Sequence, residues 1–393
     1  MRAVAGRPRV LLVGPRESSF IGREAVDADV VMLQSADRLT PAQLAGVQDH
    51  RIVDLDDPDA CLAAAAQLHQ ASALTGVAAM HERYLLVASR IAHRLGLAGN
   101  PESAVRAALD KASTRRAAEG TGLLNPRYRI AGPDELAETV AEIGFPCVVK
   151  PIDGAGSIGV NVLRRPADLD ALERDGSALL VEEYVEGPEY SIESFSRDGV
   201  HRILAITEKS TTGAHCVEVA HRMPAPGLGP DTTAGIVDAV PRLLDAIGHR
   251  VGPAHTEVRL SGGRPYLIET HTRYGGDRIW ELTGLTTGRY PQPSTIAALA
   301  GVPDPARPAE AKAAAVRFVT AAPGVVARVS GLDEAARVPG VVRVEVGCAP
   351  GDLVGPLRSS LDRLGFVVAV GDDAHAASRT CAQAVARIEV AVR

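Results

Sequence analysis

Residues His255–Arg273 read HTEVRLSGGRPYLIETHTR, and the reading of this stretch decides the fold. Apolar and polar residues alternate on both sides of Ser261-Gly262-Gly263-Arg264, which predicts two antiparallel strands joined by a tight turn. A hairpin folded about Gly263 brings Glu257 opposite Glu269, roughly 5 Å apart. Carboxylates that close repel and desolvate each other unless a cation lies between them. Magnesium takes carboxylate oxygens together with substrate phosphates, so the pair predicts the metal site of an ATP-using enzyme, with manganese as the alternative ion. His271 lies two residues beyond Glu269 on the same strand face and joins the expected ligand set. Val258, Leu267 and Ile268 supply the apolar content of a packed sheet, not of an exposed hairpin. Arg273 follows, then Tyr274-Gly275-Gly276. A guanidinium beside a Gly-Gly turn offers a fork and backbone donors to a carboxylate or phosphoryl group.

Upstream, Gly154, Gly156 and Gly159 spell GxGxxG. A dinucleotide site requires a helix after such a loop. Here Val160-Asn161-Val162-Leu163 reads as strand, so the dinucleotide reading fails. No HRD or DFG triplet supports a protein kinase, and no lysine follows a glycine as a Walker A loop requires. What remains is a flap between strands, with Gly156 and Ser157 placed to cover phosphates. The chain has 42 Lys+Arg, yet only Lys111, Lys150, Lys209 and Lys312 are lysines. Lys150 ends the strand before the flap and Lys111 stands at the entrance to the same region. Two compact ammonium groups thus bracket one candidate polyphosphate site.

At 393 residues, 46% hydrophobic and 23% charged, the chain has the balance of an ordinary globular protein of two to four domains. A net charge of -6 suggests no nucleic-acid partner. Five scattered cysteines without a CxxC pair read as free thiols in a reducing compartment. Gln67, His69 and Gln70 interrupt the alanine-rich stretch 60–80 as a membrane span, and there is no signal-peptide pattern. A cytoplasmic location is expected.

Strands at Arg9–Val13, Val30–Leu33 and Arg51–Leu55 alternate with helical stretches at Cys61–Leu74 and Tyr84–Leu95, which predicts a parallel α/β layer over residues 1–100. Residues 101–188 carry the helix Glu135–Ile143, the strands Pro146–Lys150, Gly159–Leu163 and Ala178–Val185, and the flap. From Glu189 to about Leu260 the alternation predicts antiparallel sheet throughout. Helix and connector follow over Leu282–Gly301. Pro303–Pro308 reads as a linker closing the unit 189–308, and residues 309–393 as a small α+β module ending in the helix Ala374–Ala386. The fold class is therefore α/β and α+β combined.

This order of parts resembles the ATP-grasp superfamily of carboxylate–amine ligases. The matching pieces are Asp110-Lys111, Val148-Val149-Lys150-Pro151, the flap, Glu182-Glu183-Tyr184-Val185, Glu189, Glu257 and Glu269–Arg273. The resemblance implies an ATP-grasp fold, here between a pre-ATP-grasp α/β domain and a C-terminal module. It implies that Lys111 and Lys150 contact ATP phosphates. Glu182 and the backbone of Glu183, Tyr184 and Val185 would read adenine, Glu189 would hold ribose, and Glu257 and Glu269 would hold magnesium. Thr207–Gly213 and Val217–Ala225, with the C-terminal segments 316–318, 323–326 and 351–356, resemble the bacterial L-amino-acid (dipeptide) ligases. In that family residues at the positions of Glu218 and His221 face the amino-acid substrates. The implied reaction joins a carboxylate to an amine through an acyl phosphate, with Arg273 and Lys150 catalytic and Gly275 and Gly276 beside the substrate. Natural-product or dipeptide biosynthesis is the implied setting, small-molecule carboxylate and amine the partners, and a homodimer an open possibility. The alternative is an ATP-grasp carboxylase or formyltransferase of primary metabolism.

Overall fold

The computed structural model describes residues 6–153, 156–172, 176–212 and 215–393. Gly154, the first glycine of the flap, and Gly213 lie outside them. In the N-terminal part four parallel strands lie in the spatial order Asp49–Ile52, Asp29–Gln34, Arg9–Val13, Gly76–Ala78. Side chains alternate across a strand, and both faces of this sheet are covered. Leu11, Val13, Val31 and Leu33 pack beneath the helices Pro58–Ala71 and Leu85–Leu95. Val10, Leu12 and Val30 pack on Trp280, Ile296 and Leu299 from the helices Ile279–Thr287 and Pro291–Ala300. The expected α/β layer is present, and its second face is sealed by the middle of the chain.

A second four-stranded sheet, ordered Tyr128–Ala131, Leu179–Glu183, Cys147–Pro151, Asn161–Leu163, carries the flap and is backed by the helix Leu136–Ile143. The strand expected from Gly159 begins at Asn161.

The central sheet has eight antiparallel strands, in the order Arg264–His271, Gly252–Ser261, Glu189–Arg197, Val200–Thr211, Glu218–Met223, Ala313–Val319, Gly365–Gly371, Val341–Val346. One expectation is corrected here. Residues 189–260 are not sheet throughout, because Pro230–Ile247 is an 18-residue helix. Its buried positions Ile236, Ala239, Val240, Leu243, Leu244 and Ile247 follow the helical period, and Gly248 caps it in the left-handed conformation. It buries that stripe against Tyr190, Ile192, Val258 and Leu267 of the central sheet. Residues 309–393 join the same sheet. Ala313–Val319 pairs directly with Glu218–Met223, so the sheet runs through the expected boundary. Ala314, Val316, Phe318 and Val368 share one core with Met223, Ile279, Leu282 and Leu285.

Candidate active site

The hairpin places its glutamates as the sequence requires, by a less direct route. Ser261 pairs with Arg264, so the turn is the two-residue Gly262-Gly263, and Val258 pairs with Leu267. A regular ladder from that turn would set Glu257 against Ile268. A bulge between Glu257 and Val258 absorbs one residue and restores Glu257 opposite Glu269 and His255 opposite His271. Both carboxylates line a cavity between the central sheet and the flap-bearing sheet. Burial opposes their ionisation, but cations prevail. Lys209 and His255 hold Glu257 down to about 2 against repulsion from Glu269. His271, Lys111 and Lys150 hold Glu269 well below the usual carboxylate range.

Lys111, Lys150, Gly156, Ser157 and Ile158 line the same cavity. Lys111 opens the helix Lys111–Ala118, whose N-cap Asp110 accepts a 2.5 Å bond from Ser113 N. The Lys111 ammonium lies 3.8 Å from Glu269 Oε2. Lys150 Nζ lies 2.6 Å from Glu182 Oε2, and Arg115 Nε donates to Glu182 Oε1 at 2.7 Å. Burial, with Arg115 and Lys111 nearby, lowers the Lys150 pKa against the pull of Glu182.

The expected nucleotide residues Glu182, Glu183, Tyr184, Val185 and Glu189 all line the cavity, with a different division of labour. The Glu182 side chain is taken by Lys150 and Arg115. Glu183 N donates to Arg127 O and Tyr184 N to Pro146 O, whereas Val185 N has no backbone acceptor among the described residues. Glu189 accepts from Arg259 at 3.0 Å and lies 2.9 Å from Lys209.

His271, expected as a third metal ligand, has Nε2 2.9 Å from Glu269 Oε1 and Nδ1 2.9 Å from Glu82 Oε2. Both nitrogens therefore face carboxylates, and the ring stacks 6.2 Å from His255. Among the described residues no three His, Cys, Asp or Glu side chains form a ready metal cage. The opposed, ionised Glu257 and Glu269 nevertheless suit magnesium, which needs one or two protein carboxylates and takes its remaining oxygens from phosphates and water.

Arg273 reaches the cavity but is held by Glu82 of the N-terminal domain, through Nε at 2.9 Å and Nη2 at 2.8 Å. Gly276 lines the cavity. Gly275 sits behind it, where a Cβ would come within 2.8 Å of His255 Nδ1. Glu218 lines the cavity and lies 3.3 Å from Lys209. His221 does not line it: the ring is buried behind Asp277, with Nε2 3.6 Å away, and packs edge-on to Phe318. His221 pairs with Lys209 and shares its sheet face, but Asp277 stands between the ring and the cavity.

Sequence reasoning misses Lys209 as a site residue. Its ammonium contacts Glu189, Glu218 and Glu257 together, and these hold its pKa well above the ordinary lysine value despite burial. The scarcity of lysine is the one available signal. Glu82, Arg115 and Asp277 are also missed, because each acts through a partner remote in sequence.

Three family models match successive parts of the chain: ATP-grasp N-terminal domain over residues 24–99, ATP-grasp domain over 143–281, and L-amino acid ligase C-terminal domain 2 over 317–393. An uncharacterized protein, y4rH, of Sinorhizobium fredii is 28% identical over 349 residues, covering 86% of this chain and 72% of that protein. A D-alanine--D-alanine ligase of Desulforudis audaxviator is 28% identical over 179 residues, 42% of this chain and 58% of its own length. Among solved structures, the L-amino acid ligase from Bacillus licheniformis superposes with a TM-score of 0.83 at 22% identity, over 99% of this chain and 100% of that one.

Proposed function

We propose that this chain, an ATP-grasp carboxylate–amine ligase resembling the L-amino acid ligases, joins the carboxylate of an amino acid to an amine through an acyl phosphate. The observation that carries this reading is the register of Glu257 against Glu269 in a cavity that Lys111, Lys150 and Ser157 also line. A carboxylate is a poor acyl donor because its leaving group would be oxide. In the first step its oxygen attacks the γ-phosphorus of ATP, the bond to the β-phosphate oxygen breaks, and ADP leaves. In the second, the amine nitrogen attacks the acyl carbon, the carbon–oxygen bond breaks, and phosphate departs with the bond electrons while the nitrogen loses a proton.

Lys111 and Lys150 offset the repulsion between two anionic reactants. Val185 N presents a donor to the base and Glu189 an acceptor to the ribose. Magnesium, held by Glu257 and Glu269, supplies charge neutralisation at the phosphates when bound. Arg273, which lines the cavity, is the residue assigned to the charge that builds on the transferring group. Its fork is already oriented by Glu82, so little reorganisation is needed on reaction. Ile158, Val160 and Ile268 give the cavity apolar walls that exclude water from the acyl phosphate. Glu218 stands among the residues available to the amino-acid substrate, with Gly276 leaving room for close approach.

The test is phosphate release from ATP across pairs of L-amino acids and simple amines, with products read by mass spectrometry. Wild type is expected to give one phosphate per amide for at least one pair. Glu269→Gln removes one charge of the metal pair and is expected to raise the magnesium needed for half-maximal rate and cut turnover by about 10²-fold or more. Phosphate release with no amide for any pair, or an unchanged magnesium dependence, counts against the reading.

A further inference from the structure

The substrate end of the cavity is built partly by the C-terminal module. Arg363 extends both Nη atoms to Asp277, at 2.8 Å and 2.5 Å, and its guanidinium lies 3.8 Å over the Phe318 ring. Arg363 Nη1 also reaches Glu218 O at 3.3 Å. Ser360 Oγ donates to Glu218 Oε2 at 2.8 Å, and Ser360 N donates to Gly156 O at 3.3 Å. Ser157 Oγ completes the circle, 3.2 Å from Cys216 O and 3.4 Å from Glu218 Oε2. Ser360 and Arg363 do not line the cavity, whereas Gly156, Ser157, Glu218 and Asp277 do.

Backbone geometry marks the same place. Among the described residues five non-glycine residues have positive φ: Ser157, Asp198, Cys216, Asp277 and Arg278. Asp198 sits in a hairpin turn and Arg278 turns to Glu281 and Trp280, whereas Ser157, Cys216 and Asp277 line the cavity. Such conformations persist only where surrounding contacts over-determine them, and they cluster at functional sites. Ser157 and Cys216 are fixed by each other, and Asp277 by Arg363.

We infer that Ser360 and Arg363 are positioning residues of the ligase reaction, Arg363 holding Asp277 in place for substrate binding and Ser360 joining the flap to Glu218 so that the acyl phosphate is kept from water. The inference rests on the ligase reading and names the part of the chain that makes the reaction efficient. It gives the C-terminal module a chemical role, the coupling of ATP cleavage to amide formation. His221 belongs to the same device, because it backs Asp277 at 3.6 Å without lining the cavity itself. No proton or electron changes place in this role; the residues act by fixing others.

The experiment compares Arg363→Ala, Arg363→Lys and Ser360→Ala with wild type, using full-length protein. Three quantities are read: ATP affinity by calorimetry, KM for each amino-acid substrate, and phosphate released per amide formed. Arg363→Ala is expected to raise the KM of one amino-acid substrate about tenfold or more, the scale of a lost charge-assisted bond, with ATP affinity within about threefold. Arg363→Lys restores the charge but not the fork and is expected to fall between. Ser360→Ala, a half-buried change that removes one hydroxyl, is expected to raise phosphate released per amide at least about twofold with ATP affinity unchanged. Should Arg363→Ala not fold, Ser360→Ala alone decides. A ratio and KM equal to wild type in Ser360→Ala and Arg363→Lys overturn the inference. Amide absent from the wild type overturns the ligase reading instead, so the two failures are distinguishable.

Discussion

Lys209 holds three carboxylates from three strands: Glu189, Glu218 and Glu257. Taking it away leaves like charges facing one another in a place with little water. Lys209→Met is expected to cost about 3–5 kcal/mol in unfolding free energy, the range for breaking a buried ion cluster, read from denaturant melts at pH 7. A melt within about 1 kcal/mol of wild type, the value of a surface pair, would show that the cluster is solvated. A second residue gives the fold an acid limit. His249 is buried, with Nε2 3.2 Å from Gly252 O, and burial pulls its pKa down to about 4. The unfolded chain then binds a proton below about pH 6.5 that the folded chain refuses. Stability is whole above that pH and is lost as the pH falls towards 4. Between pH 7 and pH 5 the loss from this residue is about 2 kcal/mol. His249→Gln is expected to flatten that part of the profile; an unchanged slope would assign it to other groups. Neither residue announces itself in the sequence: Lys209 needs the strand register, and His249 needs a burial that no periodicity gives.

At the scale of elements, the segment joining the flap-bearing sheet to the central sheet runs close against the strand Gly252–Ser261, with Leu260 N donating to Pro188 O at 3.0 Å. Gly187 has φ +135, and a Cβ there would lie 1.8 Å from Leu260 O. Gly187→Ala is therefore expected to displace the 183–189 segment, costing about 3 kcal/mol or more and weakening ATP binding about tenfold or more by calorimetry. Gly156→Ala provides the contrast. Its φ is +74 but nothing lies within 4 Å of the added Cβ, so only the conformational penalty of about 1 kcal/mol remains. Equal effects of the two would show that φ, not the contact, governs the segment. The hairpin 252–271 is legible in the sequence because alternation and a Gly-Gly turn are local signals, and they bring Glu257 to within one residue of Glu269. The bulge that makes the pairing true is not legible, since nothing in Val258 or Ile268 marks an extra residue. Helix Pro230–Ile247 has a helical apolar spacing of its own, but it sits between strands whose alternation masks it. His221 stands on the expected strand and on the face of Lys209, with Asp277, which follows a loop remote in sequence, between its ring and the cavity.

For the whole molecule, the order of the parts can be read from the chain, and their fusion cannot. A proline-rich linker suggests a boundary at 308, yet strands from both sides share the central sheet and one core, because strand partners distant in sequence leave no local trace. The same holds for Glu82, which reaches Arg273 across 191 positions. The use of lysine has a further consequence. Lys111, Lys150 and Lys209 are 7%, 5% and 6% exposed, and Lys312 lies at the surface beside Asp372 with 78% of its side chain open. A catalyst that makes an activated acyl group runs the hazard of acylating itself, and lysine amines are the ready targets, whereas guanidinium groups stay protonated and inert. By covering its outside with arginine, the protein leaves escaping product-to-be a single lysine to modify. An N-hydroxysuccinimide ester should thus mark Lys312 alone among the four in the native protein and all four after denaturation, as peptide mass spectrometry would count. Native labelling of Lys111 or Lys150 would mean that the cavity opens to bulky electrophiles, and the protection would then have to come from speed of transfer, not from the scarcity of surface amines.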